Sequence, residues 1–205
     1  MNVNLSGDSF GDEVEVRARH WHVKPGDVVL DVGASEGSYT LPALLCGAAK
    51  VYAFNPGKLD ADKLAHNLTT LPADVGARCE IVRLAVGSRA GWFDWSHSKL
   101  VDEEGEGLIR ATTLDDWWLL NRVDVRRVDW VKIDVEGAEV EVLRGAEQLV
   151  RCFRPKILVE NHVCFPGLAD IGTRVRKIVF DFNLDYTVET NPWHSVTHSF
   201  FSVPA

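Results

Sequence analysis

The chain has 205 residues, 46% of them hydrophobic and 25% charged, which supports a folded domain with a sizeable core and argues against disorder. Its 30 acids against 22 bases leave a formal net charge of −8, which repels phosphate backbones and makes nucleic acid a poor first substrate. Met1–Asp8 lacks the basic-then-apolar pattern of a secretory signal, and no apolar run approaches the ~20 residues of a membrane span.

Cys46, Cys79, Cys152 and Cys164 are scattered, with no CxxC pair. They read as buried free thiols of a cytoplasmic protein, not as a disulfide frame or zinc site. Arg122, Arg126 and Arg127 form the densest basic cluster and read as a solvated loop.

Short β-branched runs alternate with helical spacing. Val28–Val32 is predicted as a buried strand closed by the turn Gly33–Gly37, and residues 38–46 as a helix ending near Gly47. Lys50–Phe54 is the second predicted strand. Ala61, Leu64, Leu68 and Leu71 then mark a helix, and Glu80–Val86 a third strand. Between Gly87 and Leu108 the pattern breaks down. Trp92–Trp95 suits an added antiparallel strand, and Asp102–Gly107 an acidic loop. A short helix is expected over Ala111–Leu120, and a fourth strand over Val128–Asp134. Val142, Ala146, Leu149, Val150 and Phe153 line one face of a helix that stops before Pro155. Ile157–Glu160 is the fifth strand, and Ile171–Phe182 the clearest amphipathic helix. Tyr186–Thr190 and Ser199–Val203 suit a closing hairpin with one antiparallel strand. Strands apolar along their length, alternating with helices, imply a doubly wound, mostly parallel α/β sheet. With no repeat or linker, residues 1–205 read as a single domain.

In such sheets ligands bind beyond the carboxyl ends of the strands, at the switch in strand order. That rule selects Asp31–Gly37, Asn55, Ala85–Gly87, Asp134–Gly137 and Glu160–His162. In the first segment Gly33 and Gly37 allow close backbone approach, while Ser35 stands where a dinucleotide fingerprint requires glycine. Asp31, at the strand end, suits a cationic ammonium ligand better than a phosphate.

The run Val131-Lys-Ile-Asp134-Val-Glu136-Gly-Ala-Glu139 is followed by Val142-Leu-Arg-Gly-Ala146 and Pro155-Lys-Ile-Leu-Val-Glu160-Asn-His162. With Pro25–Leu41, Val51–Phe54 and Leu114-Asp115-Asp116, it resembles the FkbM family of methyltransferases over about residues 24–190. The resemblance implies a seven-stranded, Rossmann-like class I methyltransferase fold. It also implies S-adenosylmethionine as donor and O-methylation of a small molecule or glycan. The expected donor-binding residues are Asp31, Gly33, Ala34, Ser35, Gly37, Asn55, Ala85 and Val86. One position departs from the family pattern, which has an acid where this chain has Asn55. An amide offers one acceptor oxygen where a carboxylate offers two, so donor binding is expected to be weaker by ~1–2 kcal/mol.

A hydroxyl acceptor also needs its proton removed by a base near the ends of strands four and five, which makes Asp134, Glu136, Glu160 and His162 the candidates and Asp134, Glu160 and His162 the expected catalytic set, His162 having the reference pKa nearest neutrality. In an alternative arrangement Asp134, Glu160 and Asn161 hold a divalent cation that lowers the acceptor's pKa. Glu136 and Glu139 also fit a plain helix N-terminus. The pairs His20/His22 and His194/His198 do not read as metal ligands. Trp92, Trp95, Trp117 and Trp118 suit core packing, with an acceptor pocket as the second possibility. The competing functional readings are a non-catalytic nucleoside-binding or interaction domain and a nicotinamide-dependent dehydrogenase, the latter disfavoured by Ser35.

Overall fold

A computed structural model describes residues 9–94, 99–101, 105, 108–164, 166–192 and 197–203. Trp95, His194 and most of the 102–107 loop lie outside the described residues. In chain order the elements are α1 (Ser9–His20), β1 (Val28–Val32), α2 (Thr40–Leu45), β2 (Lys50–Phe54), α3 (Lys58–Leu68), α4 (Ala73–Gly76) and β3 (Cys79–Val82). There follow β4 (Ala85–Val86), β5 (Gly91–Asp94), β6 (Lys99–Val101), β7 (Ile109–Thr112), α5 (Leu114–Asn121) and β8 (Trp130–Ile133). The chain continues with α6 (Glu139–Arg144), α7 (Glu147–Phe153), β9 (Lys156–Asn161), α8 (Ile171–Asp181), β10 (Thr187–Pro192) and β11 (Thr197–Ser202).

Seven strands form the main sheet in the order β10-β11-β9-β8-β1-β2-β3. All pairs are parallel except those of β11, which runs antiparallel to both β9 and β10. The switch in strand order therefore falls between β1 and β8. Side-chain alternation divides the core between the two faces. Leu30, Val32, Tyr52, Phe54, Val131, Ile133, Ile157 and Val159 belong to one buried cluster, together with residues of α5, α6, α7 and α8. Val29, Val51, Trp130 and Leu158 point the other way, into a cluster with Val16, Tyr39, Ala43 and Leu44. Helices thus cover both faces, as the continuous apolar strands require.

Three expected elements differ. The third strand divides: β3 pairs in the main sheet, whereas Ala85–Val86 pairs with β7 in a second sheet, ordered β4-β7-β5-β6. The helix expected from Ala111 starts later, because residues 109–112 are strand and the Thr113 hydroxyl caps α5 by accepting from Asp116 N at 2.8 Å. The helix over 142–153 breaks into α6 and α7 at Gly145, where a Cβ would overlap the carbonyl oxygen of Gly87. Asp115 then caps α7 from a distance, accepting from Gln148 N at 3.0 Å and Leu149 N at 2.8 Å.

The cysteines are a correction. Cys46, Cys152 and Cys164 are exposed, because they sit at a helix end, on the outward face of α7 and in the loop after β9. Only Cys79 is partly covered, and burial pushes its thiol up to about 12. Arg122, Arg126 and Arg127 are exposed, as a solvated loop requires. Among the described residues no helix is long and apolar enough to cross a membrane.

Candidate functional site

A cavity of about 500 Å³ opens at the carboxyl ends of β1, β2 and β8, beside the switch point. One side comes from the turn after β1 and from Asn55, Pro56 and Gly57 after β2. The second sheet supplies Ala85, Val86 and Phe93, and the opposite end carries Asp134, Glu136 and Glu160.

The turn needs its glycine. Gly33 has φ +84°, and a Cβ there would overlap the carbonyl oxygen of Asp134, so β1 and β8 converge closely at this point. Gly33 N and Ala34 N both donate to Phe54 O at 3.1 Å, tying the turn to β2. Asn55 is 3% exposed, and its amide nitrogen donates to Ser35 O at 2.6 Å. A carbonyl can only accept, so the NH2 must face Ser35, leaving Oδ1 as the side chain's acceptor. Gly37, at φ +102°, serves packing: a Cβ would overlap Leu41 and lie 2.8 Å from Leu64 Cδ1.

Beneath the cavity lies a buried ionic network. Lys132, paired in register with Asp31 across β1 and β8, is 3% exposed. Its Nζ lies 3.1 Å from Gly33 O, 3.0 Å from Asp134 Oδ2 and 3.6 Å from Asp31 Oδ1. Burial disfavours the Lys132 charge, but Asp134 and Asp31 outweigh it and hold the ammonium above its usual pKa. Asp31 is fully buried, with Oδ2 accepting from Thr40 Oγ1 at 2.6 Å. Burial raises its pKa, opposed by Lys132 and Thr40.

At the far end His162 Nδ1 lies 2.6 Å from Glu139 Oε1, which also accepts from Gly137 N at 3.0 Å. His162 Nε2 faces Glu136 Oε2 at 3.4 Å, Asp134 Oδ1 at 3.5 Å and Glu160 Oε1 at 3.8 Å. Burial works against protonation of the ring, but Glu139, Asp134 and Glu136 overcome it and raise the His162 pKa to about 9. Glu160 Oε2 meets His198 Nε2 at 3.3 Å. Burial also raises the Glu136 carboxyl, against the pull of His162.

Of the residues expected to face the donor, Gly33, Ser35, Asn55, Ala85 and Val86 line the cavity. Asp31, Ala34 and Gly37 do not. Asp31 is a correction to the ammonium-binding expectation, because its charge is taken up inside the protein by Lys132. Asp134, Glu160 and His162 come together as expected for the catalytic set, but His162 holds its proton at pH 7, so it is not the ready neutral base that its reference pKa suggested. Asn161 donates its amide nitrogen to Thr197 O and Ser199 Oγ of β11, which leaves Oδ1, the atom that a cation would use, buried without a hydrogen-bond partner among the described residues. Lys132, Glu139 and His198 were missed as site-forming residues, as was Phe93 in the cavity wall. Trp117 stacks edge-on with Tyr52 and Phe54, and Trp118 with Phe153, so both pack in the core. Among the described residues no tryptophan lines the cavity. His20 packs on Phe200, and burial lowers its pKa, consistent with a core residue.

A seven-stranded sheet with one antiparallel strand, and a cavity over its switch point, define a class I, Rossmann-like methyltransferase fold. The match of residues 31–183 to the methyltransferase FkbM domain makes the chain a member of that family. A relative, the hexuronic acid methyltransferase AglP of Haloferax volcanii, is 28% identical over 163 residues, or 76% of this chain. The chain spans 64% of that relative's length. Methyltransferase FkbM from Methylobacillus flagellatus superposes with a TM-score of 0.68 at 16% identity, over 85% of this chain and 43% of that one. The magnesium protoporphyrin IX methyltransferase of Synechocystis, solved with bound SAM, gives 0.61 at 14% identity, over 100% and 86%.

Proposed function

We propose that this chain transfers a methyl group from S-adenosylmethionine to an oxygen of a sugar-type acceptor, a hydroxyl first. The observation that carries the reading is a cavity with two chemically different ends. One end is bounded by Asn55–Gly57 and Leu84–Val86, the other by Asp134, Glu136 and Glu160. The residues suit the donor. Pro56, Leu84, Ala85, Val86 and Phe93 offer apolar surface for an adenine, Asn55 Oδ1 an acceptor for a ribose hydroxyl, and the acidic end a match for a cationic sulfonium. When bound, the donor supplies an electrophilic methyl on a positively charged sulfur, carrying its own leaving group.

The protein's remaining work is alignment, exclusion of water and handling of one proton. Asp134 and Glu160 face the cavity, and one of them takes the acceptor hydroxyl's single proton. His162, fixed by Glu139 and charged at neutral pH, holds these carboxylates in place. The sugar-type acceptor is inferred from AglP, and the acidic mouth is consistent with an acceptor other than a polyanion.

The test is transfer of labelled methyl to a panel of hydroxylated compounds and uronic acids, with product lability to mild base separating an ester from an ether. Glu160→Gln and His162→Ala should each lower turnover by ~10²–10⁴-fold while leaving donor affinity within a few-fold. Absence of both donor binding and transfer would overturn the reading.

A further inference from the structure

At the acidic end of the cavity three carboxylates converge on one imidazole nitrogen. Glu139 Oε1 accepts from His162 Nδ1, so the ring presents Nε2 outward, toward the three carboxylates. The separations from Nε2 are 3.4, 3.5 and 3.8 Å. Two ligands of one ion, each bonded at ~2.1 Å, stand ~3.0 Å apart when adjacent and ~4.2 Å apart when opposite. The separations from Asp134 and Glu160 fall between these limits.

The second atom of each residue is also held from behind, by a group outside the set. Lys132 Nζ takes Asp134 Oδ2, His198 Nε2 takes Glu160 Oε2, and Glu139 Oε1 takes His162 Nδ1. None of these three supporting residues is more than 3% exposed. Outer contacts of this kind orient metal ligands elsewhere in protein chemistry, and here they turn one ligand atom from each residue to within 4.8 Å of the others.

We propose that Asp134, Glu160 and His162 bind one divalent cation at the mouth of the cavity, the ion taking the place of the His162 Nε2 proton, which is released to solvent. Two carboxylates with one imidazole suit Mn2+, with Mg2+ the harder alternative. A cation there offsets the charge of Asp134, Glu136, Glu139 and Glu160, so that an anionic acceptor such as a uronic acid can approach, and it lowers the pKa of a bound hydroxyl, whose proton then passes to unligated Glu136 in place of Asp134 or Glu160. That role rests on the methyl-transfer reading; the binding of the ion does not.

The test is titration of chelator-treated protein with Mn2+, following free Mn2+ by its electron paramagnetic resonance signal. One ion per chain is expected. Asp134→Asn and Glu160→Gln should each weaken binding at least ~10-fold, and Glu139→Gln by ~10–100-fold through loss of His162 orientation. Asp134 also anchors Lys132, so thermal melting checks each variant, and Glu160→Gln keeps the test decisive if Asp134→Asn unfolds. Absence of bound Mn2+, with S-adenosylhomocysteine still binding, would overturn the cation site and leave the methyl-transfer reading standing. Mn2+ binding that survives both carboxylate variants would overturn it as well. Mn2+ bound by this triad in a protein that binds no donor would uphold the site and remove the other reading.

Discussion

Asn55 is where the family pattern and this structure predict opposite outcomes. The family pattern has an acid at this position, so Asn55→Asp should tighten donor binding by restoring two acceptors for the ribose. The structure predicts the reverse. The Asn55 amide nitrogen donates to Ser35 O at 2.6 Å, and the near-isosteric carboxylate would set an anionic oxygen against that carbonyl. The lost hydrogen bond costs ~1 kcal/mol, and placing a charge at a 3% exposed position facing an acceptor adds ~1 kcal/mol or more. Ser35 itself is exposed, so its carbonyl recovers part of the loss from water. About 2 kcal/mol in a chain of this size lowers Tm by ~4–8 °C. Loosening the turn that walls the donor end should weaken S-adenosylhomocysteine at least ~10-fold, equivalent to ~1.4 kcal/mol. Melting with and without ligand, together with titration calorimetry, measures both effects. Part of the loss should be recovered near pH 5, where the introduced carboxyl regains a proton and can donate to Ser35 O. An Asn55→Asp protein with unchanged Tm and tighter donor binding would refute the reasoning.

Other substitutions separate packing from binding. Gly33→Ala should abolish the native fold or lower Tm drastically, because its Cβ meets backbone, whereas Gly37→Ala meets only the ends of leucine side chains. Gly37→Ala should cost ~1–3 kcal/mol from its positive φ, seen in denaturant melts, and leave donor affinity within about threefold. Lys132→Met strips the partner from fully buried Asp31 and should cost ~3–5 kcal/mol at pH 7, a Tm loss of ~6–20 °C. The Asp31 pKa is already raised in the folded state, so the folded protein binds the extra proton and this group's contribution to stability falls as pH rises above its unfolded value. The Tm deficit of Lys132→Met should therefore be smaller at pH 5 than at pH 8, and a deficit independent of pH would contradict the buried-charge account.

Much of the sheet was legible because its strands are apolar runs bounded by turn residues. Lys50–Phe54 is strand from end to end, and the expected hairpin forms as β10 and β11. The second sheet was not legible. Its strands are two to four residues long, and Ile109–Thr112 reads equally well as the start of a helix. Nor does helical periodicity register the break at Gly145, where the backbone of distant Gly87 lies too close to admit a Cβ. The site was half legible for a similar reason. Position at the ends of strands picks out Asp134, Glu160 and Asn55, but partners are a matter of pairing. Lys132 reads as one polar residue in an apolar strand until the β1–β8 register sets it opposite Asp31. Glu139 reads as a helix-start acid until β9 brings His162 to 2.6 Å. His198 lies in the closing hairpin, and only the pairing of β11 with β9 sets it opposite Glu160.

The cavity over the β1–β8 switch point is proposed to hold S-adenosylmethionine. Titration calorimetry of the purified protein tests it most directly, with S-adenosylmethionine in one series and NAD in the other. One saturable site per chain is expected for S-adenosylmethionine, with far weaker binding of NAD. Saturable binding of NAD with none of S-adenosylmethionine would contradict it.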